Sequence, residues 1–327
     1  PLIGWMITKP ILETNQIELE KDLTIKAIKR QKESMYQQAF DGWRKIIFGD
    51  GPYGHDPLGS IEDINKINKE HLLPIAKSLI NRNMNLVISG KFPAEIDNYI
   101  ETTVAFKGIN KSHLNQNKKS KTTNQIEALY KKKKTIIASS LNTKQVILLL
   151  GKATIGYDNE SDILLRLISC YLGYGMSSLL FKVLREKYGV VYEAGIYHPI
   201  RENQTPFIMH ASTTEEKATL TLQLLKECWQ KVIETEISPE ELDLVKIKYK
   251  GQMAHSLQSI SQRAEHTAHL IGIGLTKDYD KKNLSRLNNI TSKEIKKAAY
   301  LYLKEPSLSV CSNEKVIKKI CKDWEEL

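Results

Sequence analysis

The amino-acid sequence predicts an α+β fold of about two domains, and three observations carry that expectation. Helical patterns come in pairs beside short strand patterns, instead of alternating strand by strand as a parallel α/β sheet requires. The 327 residues, at roughly 150 per domain, are enough for two. A polar, lysine-rich stretch separates two patterned regions.

The first region opens with a helical pattern from Ile17 to about Phe48, with Glu and Lys three and four apart and Leu19, Leu23, Ile25 and Ile28 as its apolar set. The run Gly49-Asp-Gly-Pro-Tyr-Gly54 must break it. Ser60-Ile-Glu-Asp63 matches a capping box and starts the next helix, and Asn68–Ile80 is another. Asn85–Ser89, ending at Gly90, has the pattern of a short buried strand, and Pro93–Val104 that of a further helix.

After the lysines the pattern restarts. Thr135–Ser139 and Gln145–Leu150 read as strands, Ser161–Leu172 as a helix, and Ser177–Tyr188 as a second helix after the Gly173-Tyr-Gly175 break. Val190–Tyr197 and Phe207–Ser212 are expected strands. Long helices follow over Glu215–Glu234 and Pro239–Leu257, the second with Ser238 as cap, Pro239 at the first helical position and two acids facing the dipole. Helical patterns at Ile260–Leu275 and Ser292–Leu303 precede a last strand, Leu308–Ser312.

Composition excludes several classes. A hydrophobic fraction of 41% with 17 Gly and 10 Pro is that of a globular chain, neither collagen-like nor wholly disordered. The longest apolar runs, Val146–Leu150 and Leu270–Leu275, are far too short to span a bilayer, and Pro1–Met6 has no signal-peptide pattern, so neither a membrane nor secretion is expected. With no initiator Met, the chain is expected to be cut from something longer. The +10 net charge is concentrated in part between Asn115 and Lys134, where seven lysines accompany a single acid, Glu127. Without interleaved aromatics or an arginine fork, that run reads as a solvated linker and not as a nucleic-acid surface. Cys170, Cys228, Cys311 and Cys321 form no C-x-x-C pair and sit in apolar surroundings, which suits small buried hydrophobes in a reducing, intracellular compartment; pairing among the four stays open.

Local motifs give no complete active site. His266 and His269 fall on one helix face with His255 upstream, but no carboxylate stands in a zinc-motif order, so surface or structural roles are preferred. His55 lies in a turn, where bonding to nearby backbone suffices. The segment Leu184-Arg185-Glu-Lys-Tyr-Gly189-Val-Val-Tyr192 is more pointed. Arg185 falls in the last turn of a helix, Gly189 suits the left-handed position beyond it, and Tyr192 begins a strand. Such spacing can bring a guanidinium and a phenol to one sheet edge as donors to a carbonyl or oxyanion. It equally suits a cation on a helix dipole and a half-buried strand tyrosine, and spacing alone favours this second reading.

The string Asp162-Ile-Leu-Leu…Leu172-Gly-Tyr-Gly-Met-Ser-Ser-Leu-Leu-Phe181…Leu184-Arg185-Glu-Lys-Tyr-Gly189-Val-Val-Tyr192 resembles the second-domain signature of the insulinase / mitochondrial processing peptidase (pitrilysin-type) family. Phe48…Pro52-Tyr-Gly-His-Asp-Pro-Leu-Gly59-Ser-Ile-Glu-Asp-Ile64 and Asn83–Gly90 are similar to first-domain motifs of the same family, in the same order. The resemblance implies two similar domains, each an antiparallel-rich mixed sheet with helices packed on one face. Residues 1–115 would be the C-terminal part of the first, 116–134 the linker and 135–327 the second. It further implies a chamber in which a zinc site cuts unfolded peptides, with zinc ligands from an H-x-x-E-H helix and a later glutamate. The H-x-x-E-H motif would lie upstream of Pro1, and Ala27 stands where the glutamate is expected; Glu18, Glu20 and Glu33 are out of phase with it. The resemblance therefore implies a non-catalytic module holding no cofactor, with zinc in a partner subunit or in a missing N-terminal part. Arg185 and Tyr192 match the family's pair and would assist a homologous catalytic subunit or a second copy of the chain on a peptide substrate, in a bacterial cytoplasm or an organelle. An active peptidase with its zinc motif upstream, and a non-proteolytic scaffold subunit, are the alternatives.

Overall fold

A computed structural model describes residues 2–79, 84–102 and 135–326. The lysine-rich linker at 116–134 lies outside the described residues. The chain divides into two compact units: Pro1–Arg30, Asp56–Thr122 and His255–Tyr279 form one, while Gln31–His55, Thr123–Ala254 and Asp280–Leu327 form the other.

The second unit is built on a five-stranded mixed sheet of order β1-β5-β2-β4-β3. Its strands are β1 (Ile136–Ser140), β2 (Gln145–Ile155), β3 (Glu193–Tyr197), β4 (Gln204–Thr214) and β5 (Ser307–Ser312). Only β1 and β5 pair in parallel; β2 pairs antiparallel with both β5 and β4, and β4 with β3. The α+β expectation thus holds. The central strand β2 is buried from Val146 to Gly151 without alternation, as a strand must be when both its faces are covered.

Alternation along the strands sorts the two faces. Val146, Leu148 and Leu150 of β2, Phe207 and Met209 of β4, and Leu308 and Val310 of β5 enter the larger core. There they meet α7 (Asp162–Gly173), α8 (Ala218–Glu234), α9 (Pro239–Ser256), α12 (Ser292–Leu303) and α13 (Glu314–Glu326). Trp229 of α8, 1% exposed, donates its indole N–H to the Leu303 carbonyl at 2.9 Å. Ile147, Leu149, Ile208 and Cys311 point the other way, onto α3 (Met35–Phe48) with Ala39, Phe40 and Trp43. Helices on one face are therefore only part of the architecture, because α3 covers the second. It does so at close range: a Cβ on Gly42 would stand 2.9 Å from the Ile137 methyl, and the Ser309 hydroxyl donates to the Ala39 carbonyl at 2.8 Å.

The expected helix Ile17–Phe48 is two helices, α2 (Thr14–Glu33) and α3, divided at Ser34. Ser34 is extended (φ −77°, ψ 115°), and its hydroxyl accepts the Gln37 N–H as an N-cap. The loop after α3 ends the helix as read, and Gly54 approaches so closely that a Cβ there would overlap the Gly49 carbonyl oxygen. Tyr53 then lies under the Arg201 guanidinium, 4.8 Å from ring centre to Cζ, while His55 Nε2 is 3.2 Å from the Asp50 carbonyl, the backbone role expected of it. Two helices escaped the sequence reading in this unit, α11 (Tyr279–Leu287, from Asp280 on) and α13.

The first unit is helical among the described residues, with α1 (Leu2–Thr8), α2 as far as Arg30, α4 (Ile61–Lys66), α5 (Lys69–Leu79), α6 (Ile96–Thr102) and α10 (Ile260–Gly272). Ser60 caps α4 as its sequence requires, with the hydroxyl accepting from Asp63 N–H at 3.1 Å. The strand expected at Asn85–Ser89 is not formed; those residues have no regular structure. An isolated strand leaves its N–H and C=O groups unpaired, and no described segment of this unit offers a partner ladder. A sheet in the first domain is thus absent among the described residues.

Gly173 allows α7 to end against β3, where an added Cβ would sit 2.9 Å from the Ile196 backbone nitrogen and 2.8 Å from its side chain. Replacing Gly173 by alanine should force the helix end off the strand and destabilise the unit by about 1–3 kcal/mol. Urea unfolding followed by the buried tryptophans would register this as a lower midpoint, and an unchanged midpoint would mean that the helix can step aside.

Candidate functional site

Arg185 and Tyr192 lie on the two sides of one chain reversal in the second unit. The helix carrying Arg185 is a π-helix over Phe181–Lys187. Its widened turn shows in the bond from Tyr188 N–H to the Val183 carbonyl, five residues back, at 3.2 Å. Gly189 follows in the left-handed region (φ 57°) and takes the place just beyond the helix end. Val190, 4% exposed, then returns its N–H to the Leu184 carbonyl at 2.9 Å, so the cap closes over an apolar contact with the buried Leu184. The Lys217 ammonium donates to the Gly189 carbonyl at 2.8 Å and the Thr213 hydroxyl to that of Val190, pinning the reversal to the end of β4.

Tyr192 stands one residue before β3 and not within it, correcting the expected strand start. Its backbone N–H already reaches the Ser212 carbonyl at 2.9 Å. Its side chain is 70% exposed. Arg185 is exposed too, with its guanidinium 5.4 Å from the Phe181 ring centre. Neither side chain has an ion pair or a side-chain hydrogen bond among the described residues. Arg185 lies in the last turn of its helix, where a cation faces the negative end of the dipole.

Sequence reasoning missed a cavity of about 500 Å³ beside this reversal, between α3, the tail of α2 and the end of the sheet. Glu193, Ser212, Ile147 and Gln145 enter it from three strands, with His210 beneath Tyr36. The Tyr36 and His210 rings meet edge to face at 5.3 Å. His210 has room because residue 195, its partner across the ladder, is glycine: a Cβ there would come within 2.8 Å of His210 Nε2. Burial keeps the His210 ring below its ordinary pKa, partly offset by the Glu193 carboxylate. Burial, with Tyr197 and Glu193 adding to it, pushes the Tyr36 phenol up to about 12.

A second polar group is fully internal. Asp162 at the start of α7, 1% exposed, accepts from Arg166 Nε at 2.6 Å and lies 3.6 Å from His198 Nε2. His198 Nδ1 is 3.1 Å from the Pro206 carbonyl. Burial works against the charged Asp162, yet His198 and Arg166 hold its carboxyl below the usual range, while burial holds the His198 ring below its own. This cluster ties α7 to the β3–β4 connection.

Ala27 is on the exposed side of α2, and Glu18 and Glu20 on the same helix are exposed. His266 is half-buried on α10 with His269 exposed, and His255 is exposed at the end of α9. Among the described residues no three His, Cys, Asp or Glu side chains converge where a metal ion could be held. The four cysteines are free, and burial raises the thiols of Cys170, Cys228 and Cys311 to about 11. No helix among the described residues is long and apolar enough to cross a membrane.

Residues 67–249, more than half of the chain, match the family described as the peptidase M16 inactive domain. The chain belongs to the M16 peptidase family. It is the family that the Arg185–Tyr192 and Phe48–Gly59 motifs resemble. An uncharacterized zinc protease of Rickettsia felis is 25% identical to the M16 chain over 265 residues, 81% of this chain and 62% of that one. The chain thus spans about three fifths of the length of such relatives. The M16 inactive domain of Pseudomonas fluorescens shares the fold with a TM-score of 0.75 at 17% identity, covering 95% of this chain and 73% of its own. A protease from Helicobacter pylori does so with a TM-score of 0.76 at 15% identity, covering 95% and 75%.

The depressed histidines fix a sign for the pH dependence of stability. Below pH about 6.5 the unfolded chain takes up protons that the folded His198 and His210 refuse. That contribution is complete above about pH 6.5 and is lost as the pH falls towards the lowered values of the folded rings. Thermal melting between pH 8 and pH 5 should therefore show a midpoint that drops on the acid side, with a smaller drop in His210→Gln. A midpoint independent of pH in that window would contradict the assignment.

Proposed function

We propose that this M16 chain is a non-catalytic module of a zinc peptidase. In this reading Arg185 and Tyr192 bind the backbone of an unfolded peptide and stabilise the tetrahedral intermediate formed at the zinc site of a homologous catalytic chain. The observation that carries it is the pair itself. A guanidinium and a phenol, both exposed and without a side-chain hydrogen bond or ion pair among the described residues, flank a single left-handed glycine at the end of the sheet. Both groups are donors whose backbone positions are fixed by the capped reversal, and such donors suit charge that develops on a carbonyl oxygen. The sheet end and its cavity would form part of the wall of a peptide-binding chamber, and the lysine-rich linker would join this domain, 135–327, to the one before it.

A second reading rests on the relatives. They are described as zinc proteases and are longer than this chain, so the same module would serve a chain that carries its own H-x-x-E-H helix. Metal analysis of the purified full-length protein separates the two, with stoichiometric zinc favouring this second reading.

Combining the full-length protein with an M16 chain bearing an intact H-x-x-E-H motif should give cleavage of a fluorogenic unfolded peptide. Arg185→Ala and Tyr192→Phe should each lower kcat by about a hundredfold while the complex still forms, the order expected when an oxyanion donor is lost. Unchanged turnover in both variants would overturn the assisting role.

A further inference from the structure

We propose that Thr213 and Lys217, at the end of β4, are positioning residues for the Arg185–Tyr192 pair. They hold the chain reversal from which the guanidinium and the phenol are aimed at a substrate carbonyl. This rests on the assisting role proposed above for the pair, and deepens it by naming what fixes its geometry. Three observations support it.

The first is that little else aims the pair. Arg185 and Tyr192 are exposed, and neither side chain has a hydrogen bond or ion pair among the described residues. Arg185 leans only on the Phe181 ring, 5.4 Å from Cζ to the ring centre. Where the two groups lie is therefore decided by the backbone between them, which turns through Gly189 at φ 57°.

The second is where the polar groups of that backbone go, since each must find a partner. One bond is internal to the reversal, from the Val190 N–H to the Leu184 carbonyl at 2.9 Å. The rest come from the short segment Ser212–Lys217. The Lys217 ammonium donates to the Gly189 carbonyl at 2.8 Å, the Thr213 hydroxyl to the Val190 carbonyl at 2.5 Å, and the Tyr192 N–H to the Ser212 carbonyl at 2.9 Å.

The third is burial. Thr213 is 0% exposed and Val190 4%, so hydroxyl and carbonyl meet away from water, where a bond is costly to leave unmade. Thr221, also buried, backs them: its hydroxyl lies 3.2 Å from that of Thr213 and donates to the Lys217 carbonyl at 2.8 Å. A valine has nearly the shape of threonine, so what Thr213 adds to this core is its donor. Lys217 is exposed, and its ammonium can be removed without opening the core. Loosening either tie would spread the positions of the guanidinium and the phenol, and a misplaced donor loses its hold on the transition state more than on the bound substrate.

The test combines the full-length protein with an M16 chain bearing an intact H-x-x-E-H motif and follows cleavage of an unfolded peptide. Thr213→Val should lower kcat by about tenfold with KM little changed, the mark of a displaced group. Thr213→Ser returns the donor and should recover most of the loss. Lys217→Met should lower kcat several-fold, and Lys217→Arg should restore it. Amide hydrogen exchange at Val190 and Tyr192 should quicken in Thr213→Val and Lys217→Met while β2 keeps its protection. Should Thr213→Val fail to fold, the two Lys217 variants decide. Equal losses in Thr213→Val and Thr213→Ser, or unchanged exchange at both amides, overturn the positioning role. Unchanged kcat in Thr213→Val and Lys217→Met, with Arg185→Ala still impaired, also overturns it and leaves the assisting role standing. Full turnover in Arg185→Ala and Tyr192→Phe overturns both.

Discussion

The central strand of the second unit's sheet is buried on both faces from Val146 to Gly151, and the placement of the candidate site hangs from that constraint. A strand buried on one side has its register set by that face alone. One buried on both is fixed by two sets of contacts at once. β2 is held by the larger helical layer through Leu148 and Leu150 and by α3 through Ile147 and Leu149. Because β4 pairs with β2 over its whole length and β3 with β4, the positions of Glu193, His210 and Tyr192 follow from the register of the central strand. The close approach at Gly42 and the bond from Ser309 to Ala39 show how tightly α3 is drawn in. The same helix, through Tyr36, closes the roof of the cavity.

Much of this frame was legible in the sequence. The run Val146-Ile-Leu-Leu-Leu150 has no alternation, which is what burial on both faces demands. Ser60, Gly173, Gly189 and Pro239 marked helix boundaries, because each supplies a conformation or a hydrogen bond that other residues supply poorly. Ser34 went unread because it neither breaks the polarity pattern nor carries a Gly or Pro signal; it acts only through one hydroxyl that caps the following turn. Asn85–Ser89 has the right composition for a strand, but composition says nothing about whether a neighbouring ladder exists. The helix at Glu314–Glu326 does carry a periodic set, Val316, Ile317, Ile320 and Trp324, diluted by four lysines and four acids.

The site was legible only in part. Arg185, Gly189 and Tyr192 stand within eight consecutive positions, so a local motif could hold them. The cavity could not be seen this way. Glu33, Tyr36, Gln145, Glu193 and His210 are brought together by strand pairing and by the seating of α3, and no spacing rule connects such distant positions. His210 and Gly195 are informative only as a cross-strand pair, a large ring over a missing side chain. Such pairs are a property of register and have no signature along the chain.

The π-helix at Phe181–Lys187 has a consequence for how the reversal could change. A π turn holds one residue more than an α turn. Tightening it to α geometry would leave that residue over and swing whatever follows by about 100° around the axis. Arg185 sits inside that turn, so its azimuth depends on a hydrogen-bond choice, five residues back or four, made by the neighbouring backbone. The direction in which the guanidinium points is thus set by local winding, and a single deletion upstream could re-aim it without disturbing the sheet.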